Sequence, residues 1–102
     1  MKVEVIRTTK TKELVEIDLP YFYRHDLDLD DVDCIIYGKI EEGWHTSVKV
    51  YTDSFIGSRR FTVEKEPTDW GRLSCYLADE YKSNATEYER AKQMAIQTAQ
   101  DA

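Results

Sequence analysis

Five aspartates, Asp26, Asp28, Asp30, Asp31 and Asp33, crowd into positions 26–33, and so dense a set of carboxylates raises calcium first. An EF-hand loop opening at Asp26 needs glycine at its sixth position, for a sharp turn, and a bidentate glutamate at its twelfth. Asp31 and Tyr37 stand at those positions, so that loop is excluded. Imidazole chemistry would have to use His25 or His45, the two histidines of the chain. Neither belongs to a nucleophile motif; the pattern puts His45 on the outward face of a strand beside Ser47, and His25 follows the aromatic run Tyr21, Phe22, Tyr23. Paired carboxylates of the glycosidase kind must face each other across a cleft, which a small sheet rarely offers. Gly38, Gly43, Gly57 and Gly71 are too scattered to cradle a phosphate. Cys34 and Cys75 form no Cys-x-x-Cys pair and have no histidine at ligand spacing, which argues against zinc. Cys34 reads as a core residue and Cys75 as an exposed thiol. No cofactor, metal, disulfide or catalytic group is expected, and a small enzyme using His45 or His25 is the last of three functional readings.

Binding chemistry has more to work with. The segment from Tyr21 to Asp33 sets Tyr21, Tyr23, Arg24 and His25 beside Asp26, Asp28, Asp30 and Asp31; it reads as a loop between two strands, with a half-buried extended stretch (Leu27 and Leu29 alternate) or a solvated connection with its aromatics tucked under the sheet as the plain alternatives. Aromatic side chains supply rigid contact area, and carboxylates steer encounter with a basic surface. Charge is concentrated there: the chain carries a net −6, of which residues 13–33 alone contribute −7, with Arg24 their only base. That field repels nucleic acid and anionic membranes. The first expectation is therefore a non-enzymatic acidic module that binds a basic protein surface, in the manner of small inhibitors carried by phages or mobile elements. The outer sheet face around Tyr37, His45 and Tyr51 is the other candidate surface. The second reading is an accessory nucleic-acid binder, which requires Arg7, Lys10, Lys12, Arg59 and Arg60 to converge at one end. Self-association stays open.

The elements that must position these groups follow from periodicity. Val3 and Val5, then Val15, Ile17 and Leu19, alternate with charged residues as the two strands of a hairpin, with its loop over Thr8 to Lys12. Val32 to Ile40 and Trp44 to Tyr51 read as a second hairpin turning at Glu41, Glu42 and Gly43, and Arg60 to Lys65 as a further strand ended by Pro67. From Thr68 the period changes: Trp70, Leu73, Leu77 and Tyr81 make one helical stripe with Thr68 as N-cap. Thr86 and Glu89 suggest a capping box for a last helix lined by Tyr88, Ala91, Ala95 and Ala99. The expected fold is α+β: an antiparallel meander of about five strands followed by two C-terminal helices packed on one face of the sheet.

The totals suit one domain over residues 1–102, since 41% hydrophobic and 33% charged residues can build a core at this length without staples. The N-terminus lacks the apolar core of a signal peptide, and no apolar run approaches the ~20 residues of a membrane span. A reducing cytoplasm is the expected setting, where the glycosylation triplet Asn84, Ala85, Thr86 has no meaning.

Overall fold

Alternation carries the chain through six strands before the period changes. The computed structural model describes residues 2–8 and 11–101, with 5–8, 11–13, 100 and 101 described by backbone alone. β1 (Lys2–Thr8) and β2 (Thr11–Glu16) form an antiparallel hairpin in which Val3 stands opposite Val15. β3 (Tyr21–Leu29), β4 (Val32–Ile40), β5 (Trp44–Asp53) and β6 (Arg59–Pro67) form a four-stranded antiparallel meander in chain order. α1 (Trp70–Leu73), two 3₁₀ turns (Ser74–Leu77 and Asp79–Tyr81) and α2 (Ala85–Asp101) complete the chain. The α+β class and the antiparallel meander stand, but the N-terminal hairpin makes its own two-stranded sheet and the meander gains a strand, β3.

That strand corrects the expected loop from Tyr21 to Asp33. Tyr21, Tyr23, His25 and Leu27 pair with Ile40, Gly38, Ile36 and Cys34 on one face, while Phe22, Arg24, Asp26 and Asp28 take the other, and Asp30 and Asp31 turn the chain into β4. β3 lies at the edge of the sheet, where charged side chains cost little and discourage pairing with another strand. The acids belong to an edge and a tight turn.

The register divides the meander into two faces, and both are covered. On one, Val48 and Val50 pack against Tyr88, Ala91 and Ala95 of α2, with Phe22, Tyr37 and Phe61 at the margin. On the other, Tyr21, Tyr23 and Ile40 pack against Val3, Ile17, Leu73 and Leu77. The two helices therefore lie on opposite faces rather than one. The chain changes sides around the outer edge of β3, where Lys82 bridges Tyr23 and the Ser83 N–H donates to the Phe22 carbonyl at 2.9 Å.

The stripe from Trp70 to Tyr81 buries Leu73 and Leu77 as expected, but in short pieces. Ala78 adopts an extended backbone (φ −68°, ψ 145°) that interrupts the helix, and apolar residues spaced by three or four suit a 3₁₀ turn as well as an α-helix. Asp69, not Thr68, caps α1, its carboxylate accepting from the Gly71 N–H at 3.1 Å. The Thr68 hydroxyl instead donates to the Glu41 carbonyl. The capping frame of α2 also moves: Asn84 accepts from the Glu87 N–H at 2.9 Å, so the helix opens two residues earlier than Thr86 implied. Ala99 is exposed, leaving Tyr88, Ala91 and Ala95 as its buried face.

Candidate functional site

The turn at Asp30 and Asp31 and the β5–β6 connection emerge at the same end of the meander, and the Ser54 N–H donates to the Asp31 carbonyl at 3.0 Å to tie them together. The connection is a built turn. Asp53 Oδ1 accepts from the Phe55 and Ile56 N–H groups at 2.8 and 3.0 Å, the Gly57 N–H donates to the Asp53 carbonyl, and the Asp53 N–H donates to Ser58. Gly57 takes φ +71°, which closes the turn in a region that side chains disfavour. Those amide donors stabilise the ionised Asp53 carboxyl and hold it below its usual range, that of Ile56 first. The result projects Phe55 and Ile56 into solvent at 80% and 78% exposure, with half-exposed Leu29 on the same end. Asp28, Asp30, Asp31 and Asp33 are exposed around them and make no ion pair among the described residues.

The residues expected to bind divide at His25. Tyr21 and Tyr23 point inward, at 8% and 2% exposure, so they are core groups and not a contact surface. The Tyr21 hydroxyl donates to the Tyr76 carbonyl at 2.9 Å. His25 is half-buried, edge-on to Tyr76 and Tyr81, beside a shallow depression of about 470 Å³ that Arg24, Asp26, Glu80, Lys82 and Glu87 also line. Asp26 is tied to Arg24 at 2.8 Å. Asp28, Asp30 and Asp31 reach the exposed end. Sequence reasoning missed Phe55 and Ile56, whose signal was two large apolar residues inside a Ser- and Gly-flanked connection. The candidate face at Tyr37, His45 and Tyr51 dissolves, since Tyr37 sits on the α2 side and His45 on the other.

His45, expected to face outward, is buried. The covering segment that includes Leu73 and Tyr76 closes over its face of β5, and Tyr76 stacks on Tyr23 with ring centroids 4.0 Å apart. The Tyr23 ring in turn lies across Gly38, where any Cβ would overlap it. Tyr23 Oη meets His45 Nε2 at 2.6 Å. Burial pushes the Tyr23 hydroxyl well above its ordinary pKa, so it keeps its proton, and among the described residues it has no acceptor but His45. Nε2 therefore accepts and Nδ1 carries the imidazole hydrogen. Burial also lowers the His45 pKa, which keeps the ring neutral at pH 7.

Among the described residues, no group of three or more His, Cys, Asp and Glu side chains is placed to hold a metal ion, and no helix is long and apolar enough to cross a membrane. Arg59 and Arg60 open β6 at the acidic end, whereas Lys10 and the side chains of Arg7 and Lys12 lie outside the described residues, as does most of the expected basic hairpin end. No protein-family model, curated protein or solved structure matches the chain.

Proposed function

We propose that the protein is a non-enzymatic interaction module whose acidic sheet end docks on a basic protein surface. One observation carries the reading: Phe55 and Ile56 stand exposed on a hydrogen-bonded turn, beside four aspartates without ion-pair partners among the described residues. A pre-ordered apolar pair loses little conformational freedom on binding, which favours its use as an anchor. The aspartates guide approach. This is the combination needed to cover a basic functional surface of another protein in the cytoplasm, as phage and mobile-element inhibitors do.

The test is kinetic, on the partner that wild-type protein recovers. Replacing Asp28, Asp30 and Asp31 with Asn is expected to slow association about tenfold at low salt, with the effect fading as screening shortens to ~8 Å at physiological ionic strength. Phe55→Ala is expected to leave association alone and speed dissociation, at a cost of about 2 kcal/mol for a central anchor. A partner indifferent to both sets of changes refutes the reading.

A further inference from the structure

A second region, independent of the acidic end, holds a buried donor with no acceptor within hydrogen-bonding distance among the described residues. The His45 side chain is 4% exposed, and among the described residues its Nδ1 has no hydrogen-bond partner. The nearest carboxylate oxygen, Glu66 Oε1, stands 3.7 Å away, beyond hydrogen-bonding distance, because Glu66 is drawn to the Arg72 guanidinium. Lys49 is held only loosely by Glu64, at 3.4 Å from both carboxylate oxygens. His45, Arg72 and Lys49, together with the carboxylates Glu64 and Glu66, line one cavity of about 300 Å³, walled by Ile36, Leu73 and the Tyr76 ring. The cavity thus offers one buried N–H without a hydrogen-bond partner among the described residues and two cations, each beside a carboxylate that shares the lining, with Ile36, Leu73 and Tyr76 as its apolar wall.

We propose that this cavity binds a small organic anion, with a carboxylate or phosphate-ester oxygen accepting from His45 Nδ1 and pairing with Arg72 and Lys49. The compact apolar body of the ligand lies against Tyr76 and Leu73. The arrangement is short of one acceptor, and a buried unsatisfied donor costs free energy that an entering oxygen recovers. An anion suits the donor set because Arg and Lys retain hydrogen-bonding capacity beyond their present partners, and a guanidinium can serve Glu66 and a ligand together. Glu64 and Glu66 in the lining are each neutralised by a cation, Lys49 and Arg72, and repulsion from the acidic end is weak here. His45 and Asp53 are eight residues apart on β5, about 26 Å at the rise of a strand, which is beyond the screening length at physiological salt.

The experiment follows the His45 ring nitrogens by ¹⁵N NMR while intact protein is titrated separately with inorganic phosphate, phenyl phosphate and benzoate. A saturable shift of the Nδ1 resonance is expected with phenyl phosphate, with benzoate or with both, each weakened roughly tenfold or more in Arg72→Ala and in Lys49→Ala. Response to benzoate alone assigns a carboxylate, and response to phenyl phosphate alone assigns a phosphate ester. Inorganic phosphate is expected to bind more weakly than phenyl phosphate, since it lacks the apolar body. His45→Gln, which lacks the ring-nitrogen signal, is followed by isothermal calorimetry beside the wild type; it is expected to keep a cooperative denaturation midpoint and to lose the binding heat. Absence of a saturable shift with every probe overturns the proposal, as does binding that neither Arg72→Ala nor Lys49→Ala weakens.

Discussion

Under α2 the meander presents Val48, Val50 and Phe61 to Tyr88, Ala91 and Ala95, whereas its opposite face presents Tyr23 and His45 to a covering segment that includes Leu73 and Tyr76. The first interface is apolar apart from the Tyr88 hydroxyl beside Thr46, and small alanines let the helix lie close. The second encloses titratable groups, holds Tyr23 over Gly38 and leaves His45 Nδ1 unpaired. Alternation along β5 produces both, because neighbouring residues enter different environments. A mostly apolar face is specified chiefly by volume; a face with more buried polar groups is specified by partners as well, and an unmet partner marks where a ligand can enter.

The largest expected effect falls on the polar face. Tyr23→Ala should lower stability by about 3–5 kcal/mol, as removal of a large buried aromatic does, read from the denaturant midpoint. Gly38→Ala should cost about 1–3 kcal/mol in the wild type and far less in a Tyr23→Ala background, since the added methyl collides with that ring. Ala91→Leu, on the α2 face, should cost a similar 1–3 kcal/mol by overpacking, yet add independently to Gly38→Ala. Strong coupling between those two substitutions would break the two-face account.

Acid should separate the faces next. The folded His45 pKa lies below its ordinary 6.5, so as pH falls through 6.5 the unfolded chain takes up the proton first. Stability from burying neutral His45 is therefore complete above pH 6.5 and declines below it until the folded value is passed. His45→Gln should flatten that part of a urea-midpoint against pH curve, while Ala91→Leu should leave its shape unchanged. The smallest effect belongs to the exposed Arg24–Asp26 pair: Arg24→Ala should change stability by about 1 kcal/mol or less.

Much of this was legible in the residues. The alternation of Val32 to Ile40 and Trp44 to Tyr51 located β4 and β5, though not that Tyr37 shares its face with Val48 rather than with His45, and the change of period at Thr68 marked the end of the sheet. β3 was hidden by its own charges: Tyr21, Tyr23, Leu27 and Leu29 keep strict alternation, but Asp26, Asp28, Asp30 and Asp31 imitate a solvated loop because an edge strand tolerates the same residues. Burial of His45 depended on which side the Trp70–Tyr81 segment would take, a tertiary choice that no local pattern records. The same blind spot exchanged the anchors. Tyr21 and Tyr23 carry more aromatic area than Phe55 and Ile56, and only the packed structure shows which pair remains outside.

The acidic sheet end as a docking surface is tested most directly by photo-crosslinking inside cells. A photoreactive phenylalanine analogue is placed at position 55 on the acidic end, and in a second protein at position 44, where half-exposed Trp44 opens β5 at the opposite end of the meander. The account predicts one discrete adduct from position 55, with a partner of basic isoelectric point, lost when Asp28, Asp30 and Asp31 are replaced by Asn, and no such adduct from position 44. Identical products from both positions, or none from position 55, would contradict it.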